Sequence, residues 1–192
     1  MTTRILATAF AAAFAARVSG QSSSDIDRFL RIDGRVCTGG QPTIAQLASL
    51  QQEGVRAILN LREAEEHNVG EEQAAAEKLG LLYIHVPVRT LDPRSAQVDA
   101  FLSALENPKI YPVFIHCGSG NRVGAFWMIR RMVVDGWSPG DAETEARRIG
   151  LTSPSLREFA LAEARARTRG PSIASREKSY SAPQREKHKG QQ

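Results

Sequence analysis

The 192-residue chain has room for one domain with extensions, and its 42% apolar content is enough to build a core. The pI near 9.4 overstates the basicity of the part that would fold. Residues 1–20 carry two arginines and no acid, the segment from Gly170 carries five basic residues against two acidic ones, and residues 21–169 hold 18 basic and 19 acidic residues. No basic stretch interleaved with aromatics is present, which argues against a nucleic-acid-binding protein.

The chain opens with Arg4 followed by an apolar run, Ile5 to Ala16, too short to span a bilayer comfortably. Val18-Ser19-Gly20 supplies small residues before a cut at Gln21, so residues 1–20 read first as a signal peptide and the protein as periplasmic or secreted. A mitochondrial presequence, or an overlong start of a cytoplasmic protein, remains open. No other run is long enough for a stable membrane span.

From Gln21 the pattern alternates strand and helix. Arg35 to Thr38 reads as a short strand and Gly39-Gly40-Gln41-Pro42 as a turn. Thr43 caps a helix running to about Glu53, with Ile44, Leu47 and Leu50 on one face, and Gly54 ends it. Val55 to Leu61 is a buried-type strand, Gly70 to Leu79 an Ala/Glu-rich helix ended by Gly80, and Leu81 to Val88 a further strand. Asp92-Pro93 opens a helix whose apolar face is Val98, Phe101, Leu102 and Leu105. Tyr111 to Ile115 is the next strand, followed by helices over Val123–Asp135, Pro139–Ile149 and Pro154–Thr168. This order predicts an α/β fold: a mainly parallel sheet of four to five strands with helices on both faces. The domain covers 21–169, and the Ser-, Lys-, Gln- and Glu-rich segment 170–192 reads as a disordered basic tail.

Two cysteines, Cys37 and Cys117, make no disulfide framework, and neither they nor the four scattered histidines have metal-ligand spacing. No metal or cofactor is expected. The chemistry concentrates in His116-Cys117-Gly118-Ser119-Gly120-Asn121-Arg122-Val123-Gly124. A strand ending at a cysteine, then a glycine-rich loop, then a helix start is a recipe for an oxyanion cradle. Backbone N–H groups converge there, and the helix N-terminus adds positive potential. The same field favours the Cys117 thiolate and makes it a nucleophile. Arg122 can grip two oxygens of a tetrahedral oxyanion at once. Gly118 and Gly120 supply positive φ or close backbone approach, and Ser119 and Asn121 either line the site or face solvent. His116 reads as a residue that fixes the cysteine backbone. Glu63, Glu65 and Glu66 read as a solvated face. Asp92, on the loop after the preceding strand, is either the general acid that protonates a leaving oxygen or simply a helix cap.

These residues resemble the cysteine-dependent phosphatases of dual-specificity type, and more narrowly the bacterial beta-lactamase-hydrolase-like protein phosphatase-like domains. The resemblance covers about Ile32 to Leu151 and rests on Gly39-Gly40-Gln41-Pro42, Ala57-Ile58-Leu59-Asn60-Leu61-Arg62, Pro87 and the segment His116 to Gly124. It implies a phosphorylated substrate, protein or small molecule, a cysteinyl-phosphate intermediate and no metal. It places Cys117 as nucleophile, Arg122 as phosphate clamp, Asp92 as acid, and Gly118 to Asn121 as substrate-binding loop. One departure stands out. Only four residues separate Cys117 from Arg122, one fewer than in the wider tyrosine phosphatase signature, and Val123 follows where that signature has a hydroxyl. The short loop is shared with rhodanese-type sulfurtransferases, so sulfur transfer through a Cys117 persulfide is the competing enzyme reading. A non-catalytic oxyanion-binding or redox-sensing module is the third, the last with Cys37 trapping an oxidised Cys117 if the two lie close.

Overall fold

The computed structural model describes residues 21–169; the expected targeting segment 1–20 and the expected disordered tail 170–192 lie outside the described residues. Five strands form one sheet: β1 (Leu30–Arg31), β2 (Val36–Gly39), β3 (Ala57–Asn60), β4 (Leu82–His85) and β5 (Val113–His116). Their spatial order is β1-β2-β5-β3-β4. The four strands β2 to β5 are mutually parallel, as the alternating pattern requires. The sheet is nevertheless mixed. β1, too short to leave a periodic signal, pairs antiparallel with β2 through Leu30–Thr38 and Arg31–Cys37.

Six helices cover the sheet: α1 (Ile44–Gln52), α2 (Val69–Lys78), α3 (Ser95–Glu106), α4 (Asn121–Val133), α5 (Pro139–Ile149) and α6 (Pro154–Thr168). Helices α1 and α2 bury Leu47, Leu50 and Ala76 against one face, where Cys37, Ile58 and Phe114 meet them. The opposite face carries α3 to α6, with Val98, Phe101, Phe126 and Leu156 packed on Leu59, Val113 and Ile115. β5 shows the two-residue period directly: Val113, Ile115 and Cys117 belong to one core, Phe114 to the other.

Thr43 caps α1 as expected: its side chain accepts from Gln46 N–H while Gln46 Oε1 accepts from Thr43 N–H at 2.8 Å. The start of α3 differs from expectation. Asp92-Pro93 does not open it. The helix begins at Ser95, and Gln97 Oε1 accepts from Arg94 N–H at 2.8 Å. The Asp92 carboxylate is paired with the Arg94 guanidinium instead of capping the backbone.

The topology positions the site. β5 sits between β2 and β3, so the chain leaves the central strand at its C-terminal end. In parallel sheets ligands collect at such a switch in strand order. Cys117 is the first residue beyond β5. Among the described residues, no helix is long and apolar enough to cross a membrane.

Candidate active site

The segment after β5 is a tight turn from Cys117 to Gly120 that feeds α4 at Asn121. Gly120 has φ +82°, and a Cβ there would run into the Ile149 carbonyl, so the turn closes only with glycine. The Gly120 N–H points back at Cys117, 3.2 Å from its Sγ. The loop is pinned from outside by the Gly39-to-Pro42 turn. Gln41 N–H donates to the Gly118 carbonyl at 3.2 Å, and Gly40 bridges to Ser119. With the Gly118 carbonyl drawn outward, the loop keeps an N–H for the sulfur side. Gly118 and Ser119 are exposed, while Cys117 is 1% exposed at the base.

Asn121 does not line the cradle. Its Oδ1 accepts from the N–H groups of Thr152 at 2.7 Å and Ser153 at 2.9 Å, tying the start of α4 to the α5–α6 connection. Its side chain was open between two readings in sequence, and the structure assigns it to packing of the helix start.

Arg122 stands in the first turn of α4 and is buried. Its guanidinium is held by Glu66 in a two-pronged pair, Nη1 to Oε1 at 2.5 Å and Nη2 to Oε2 at 3.0 Å, and Nη1 also donates to the Val88 carbonyl at 3.2 Å. Burial alone would make this arginine easier to deprotonate. The Glu66 bonds and the adjacent Cys117 sulfur outweigh burial and hold its charge more firmly than usual. Glu66 shows the converse: partial burial pushes its carboxyl up, but bonds from Arg122, the Glu63 region and Arg62 bring it down to about 2. Glu66 is therefore not part of a solvated face. Three glutamates in four residues look like surface in sequence, and only the turn at Glu63, whose N–H donates to Glu66 Oε1 at 2.7 Å, folds this one inward.

A second buried layer lies behind Cys117. Glu72 on α2 and His116 at the end of β5 are both 0% exposed, with Oε1 and Nε2 2.8 Å apart. Tyr83 donates its hydroxyl to Glu72 Oε1 at 3.1 Å, and Gln41 Nε2 donates to Oε2. Arg62 spans the two layers, with Nε donating to Glu66 at 3.2 Å and Nη1 4.0 Å from Glu72. Burial works to raise the Glu72 carboxyl, and the facing His116, Gln41 and Tyr83 more than reverse it, so it is held below the ordinary carboxylate range. Sequence reading passed over Glu72 because a glutamate in an Ala/Glu helix looks exposed. The expected role of His116 as a backbone brace fits its ring Nδ1, 3.4 Å from the Cys117 carbonyl.

Asp92 is exposed on the loop between β4 and α3, beyond Val88, and among the described residues its one charged partner is Arg94. Cys37 lies on the other side of the sheet from Cys117 and pairs in register with Phe114, three residues before it. Three residues of strand are about 10 Å, beyond disulfide reach of about 7 Å. Oxidative trapping of Cys117 by Cys37 is thereby ruled out in this fold. Cys37 sits in the core, its Sγ 3.6 Å from the Val113 carbonyl. Among the described residues, no cluster of His, Cys, Asp and Glu is placed to hold a metal ion.

A parallel-centred sheet, a cysteine at the end of its middle strand and an arginine at the start of the next helix define the class of protein-tyrosine-phosphatase-like folds. The chain belongs to the family described as DSP-PTPase phosphatase fused to NAD+ kinase, whose model matches residues 8–159. Among curated relatives it is 35% identical over 123 residues to a beta-lactamase hydrolase-like protein of Xylella fastidiosa strain 9a5c, covering 62% of this chain and 28% of that one. It therefore spans little more than a quarter of that relative. Among solved structures, Tk-PTP in its active form superposes with a TM-score of 0.63 at 26% identity, covering 73% of this chain and 97% of the other. The core catalytic domain of the PP-IP phosphatase Siw14 from S. cerevisiae shares the fold at a TM-score of 0.62 and 20% identity, covering 81% and 93%.

Proposed function

We propose that the chain hydrolyses a phosphomonoester through a cysteinyl-phosphate on Cys117. The observation that carries this reading is the pairing of Cys117 Sγ, 3.2 Å from the Gly120 N–H, with an Arg122 guanidinium held in place by Glu66 and Val88. A thiolate there meets donors rather than apolar wall, and donors fixed before the substrate arrives cost no reorganisation in the transition state. The Cys117 thiolate attacks phosphorus and the bond to the leaving oxygen breaks, that oxygen taking a proton from an acid. Water then attacks phosphorus, the P–S bond breaks, and the thiolate returns. Arg122 grips two phosphoryl oxygens, while Gly118, Ser119 and Gly120 offer backbone N–H groups.

Asp92 takes the acid role in this scheme. Its release from capping duty supports that reading: the exposed carboxyl satisfies no backbone N–H, and only its pair with Arg94 has to open for it to meet a leaving group. The four-residue loop favours a second reading, sulfur transfer through a Cys117 persulfide, because a tighter cradle suits a single sulfur atom. An aryl phosphate assay run beside a thiosulfate–cyanide assay, each with Cys117→Ser, separates the two. Cysteine-dependent release of phosphate supports the phosphatase reading, and cysteine-dependent thiocyanate with no phosphate release overturns it.

A further inference from the structure

Arg28 has a backbone conformation that does not suit its side chain. It is the third residue of the turn Ile26–Phe29, which Phe29 N–H closes by donating to the Ile26 carbonyl at 3.0 Å, and its φ is +54°. Glycine or asparagine takes that turn position with little strain, and a long side chain does not. The turn is held from outside. The Asp27 carbonyl accepts from Gly40 N–H at 2.7 Å, and Phe29 stacks on Phe114 with ring centroids 6.2 Å apart. Strain that is over-determined by its surroundings gathers at binding and catalytic sites.

The turn delivers a guanidinium to the rim of the loop after β5. A Cβ on Gly150 would lie 3.1 Å from Arg28 Nη1 and 3.0 Å from the Ser119 carbonyl, so guanidinium and loop meet at one point. Gly150 itself packs on Gly120, where a Cβ would stand 3.3 Å from Gly150 Cα. Arg28 Nη1 donates to the Gly150 carbonyl at 3.2 Å, which fixes the head of the side chain. That bond uses one of its five N–H groups. The neighbouring Asp27 carboxylate lies 3.9 Å from Nε, too far for a hydrogen bond, and both side chains are substantially exposed. On the other side of the loop, a Cβ on Gly118 would lie 3.5 Å from Arg122 Nη2. The exposed residues Gly118 and Ser119 are thus flanked by two arginines, and Arg122 is already paired with Glu66.

We propose that Arg28 is a specificity-determining residue: it binds a second anionic group, a phosphate or a carboxylate, on the same small substrate whose phosphomonoester sits over Cys117. The guanidinium fork suits either oxyanion. A substrate with a single phosphate leaves Arg28 idle, and one with a neighbouring anion engages both sides of the loop. The inference rests on the phosphomonoesterase reading and adds to it the class of substrate.

Titration calorimetry on the full-chain Cys117→Ser variant tests it with three probes on one carbon skeleton. Glycerol phosphate has one anionic group, phosphoglycerate adds a carboxylate, and bisphosphoglycerate adds a carboxylate and a second phosphate. At least one of the latter two should bind about tenfold more tightly than glycerol phosphate, the size of one charge-assisted contact. Adding Arg28→Asn should erase that advantage and leave glycerol phosphate binding unchanged. Asparagine is at ease at positive φ, so melting temperature should hold or rise, whereas loss of a merely structural arginine would lower it. An advantage confined to bisphosphoglycerate assigns the second group as phosphate, and an equal advantage for both probes assigns it as carboxylate. If Arg28→Asn does not fold, Arg28→Gly, which accepts the same φ, takes its place. An advantage that survives the substitution, or equal weakening of all three probes, overturns the proposal. Equal binding of all three before the substitution also overturns it, and leaves the phosphatase reading standing where the unaltered chain turns over an aryl phosphate. An Arg28-dependent advantage without aryl phosphate turnover strikes the proposed function and leaves the second anion site in place.

Discussion

Cys37 lies in β2 and Cys117 one step past the neighbouring β5, and they are equally hidden, each 1% exposed, yet their surroundings are opposite. Cys37 points among Leu47, Ile58 and Phe114, and burial pushes its thiol up to about 12. Cys117 receives the Gly120 N–H and has Arg122 beside it. Burial in hydrocarbon suppresses a thiolate at Cys37, whereas Cys117 is buried beneath oriented donors. The difference arises from position along the strand. Cys37 is inside β2, where its backbone groups are committed to the ladder, and Cys117 is one step past β5, where the chain is released into a glycine turn and a helix start.

The sharpest way to break this comparison is to exchange each thiol for a hydroxyl. Cys117→Ser should remove phosphomonoesterase activity by about 10³-fold or more, because the nucleophile and its supports act as a unit. Cys37→Ser should leave turnover intact and lower thermal stability, since it puts a hydroxyl into an apolar core. Steady-state kinetics on an aryl phosphate and thermal melts check both. Equal activity losses would mean that the two cysteines are not functionally distinct.

Next in size is the acid. Asp92→Asn should slow substrates with poor leaving groups by about 10² to 10⁴-fold and good ones less. Melting temperature should hardly move, because α3 starts at Ser95 and takes no cap from Asp92. Equal slowing of both substrate types would remove Asp92 from the chemistry.

Arg122→Lys keeps the charge beside Cys117 but loses the fork that pairs with Glu66 on one edge and that, in the proposed function, grips phosphate oxygens on another. Activity should fall by about 10²-fold, more through kcat than through folding. Near-intact turnover would show that Arg122 is not the clamp.

The smallest effect concerns pH. The Glu66 carboxyl is held at about 2 in the folded chain, below the ordinary 4.5, so its pairing with Arg122 stabilises the fold above about 4.5. That contribution drains away as pH falls from there through about 2. Glu66→Gln should therefore show a shallower loss of melting temperature across that window than the unaltered chain. Parallel curves would mean that the pair contributes nothing to stability.

Much of the fold was legible because the signals were local and periodic. The strands read from Val55, Leu81 and Tyr111 contain β3, β4 and β5, Thr43 caps α1, and α5 and α6 start at Pro139 and Pro154 as read. Two-residue β1 left no period to read. At the site, the cysteine and arginine were legible because glycine spacing and chain order bring them together within six residues. Glu66 and Glu72 were not, because each reaches the site from 40 or more residues away in the chain. Surface and buried glutamates look alike until the turn after Arg62 and the packing of α2 decide which way they face. The cap reading of Asp92 failed for the opposite reason. Asp-Pro is a strong local cap signal, and here the Gln97 side chain meets the Arg94 N–H two residues later.

The central claim is that a phosphoryl group passes through Cys117. Rapid-quench mass spectrometry of the full chain with an aryl phosphate tests it most directly. A transient adduct of one phosphoryl group on the Cys117 peptide, absent in Cys117→Ser, is the predicted result. Turnover with no cysteine adduct, or a persulfide sulfur in place of the phosphoryl group, would contradict it.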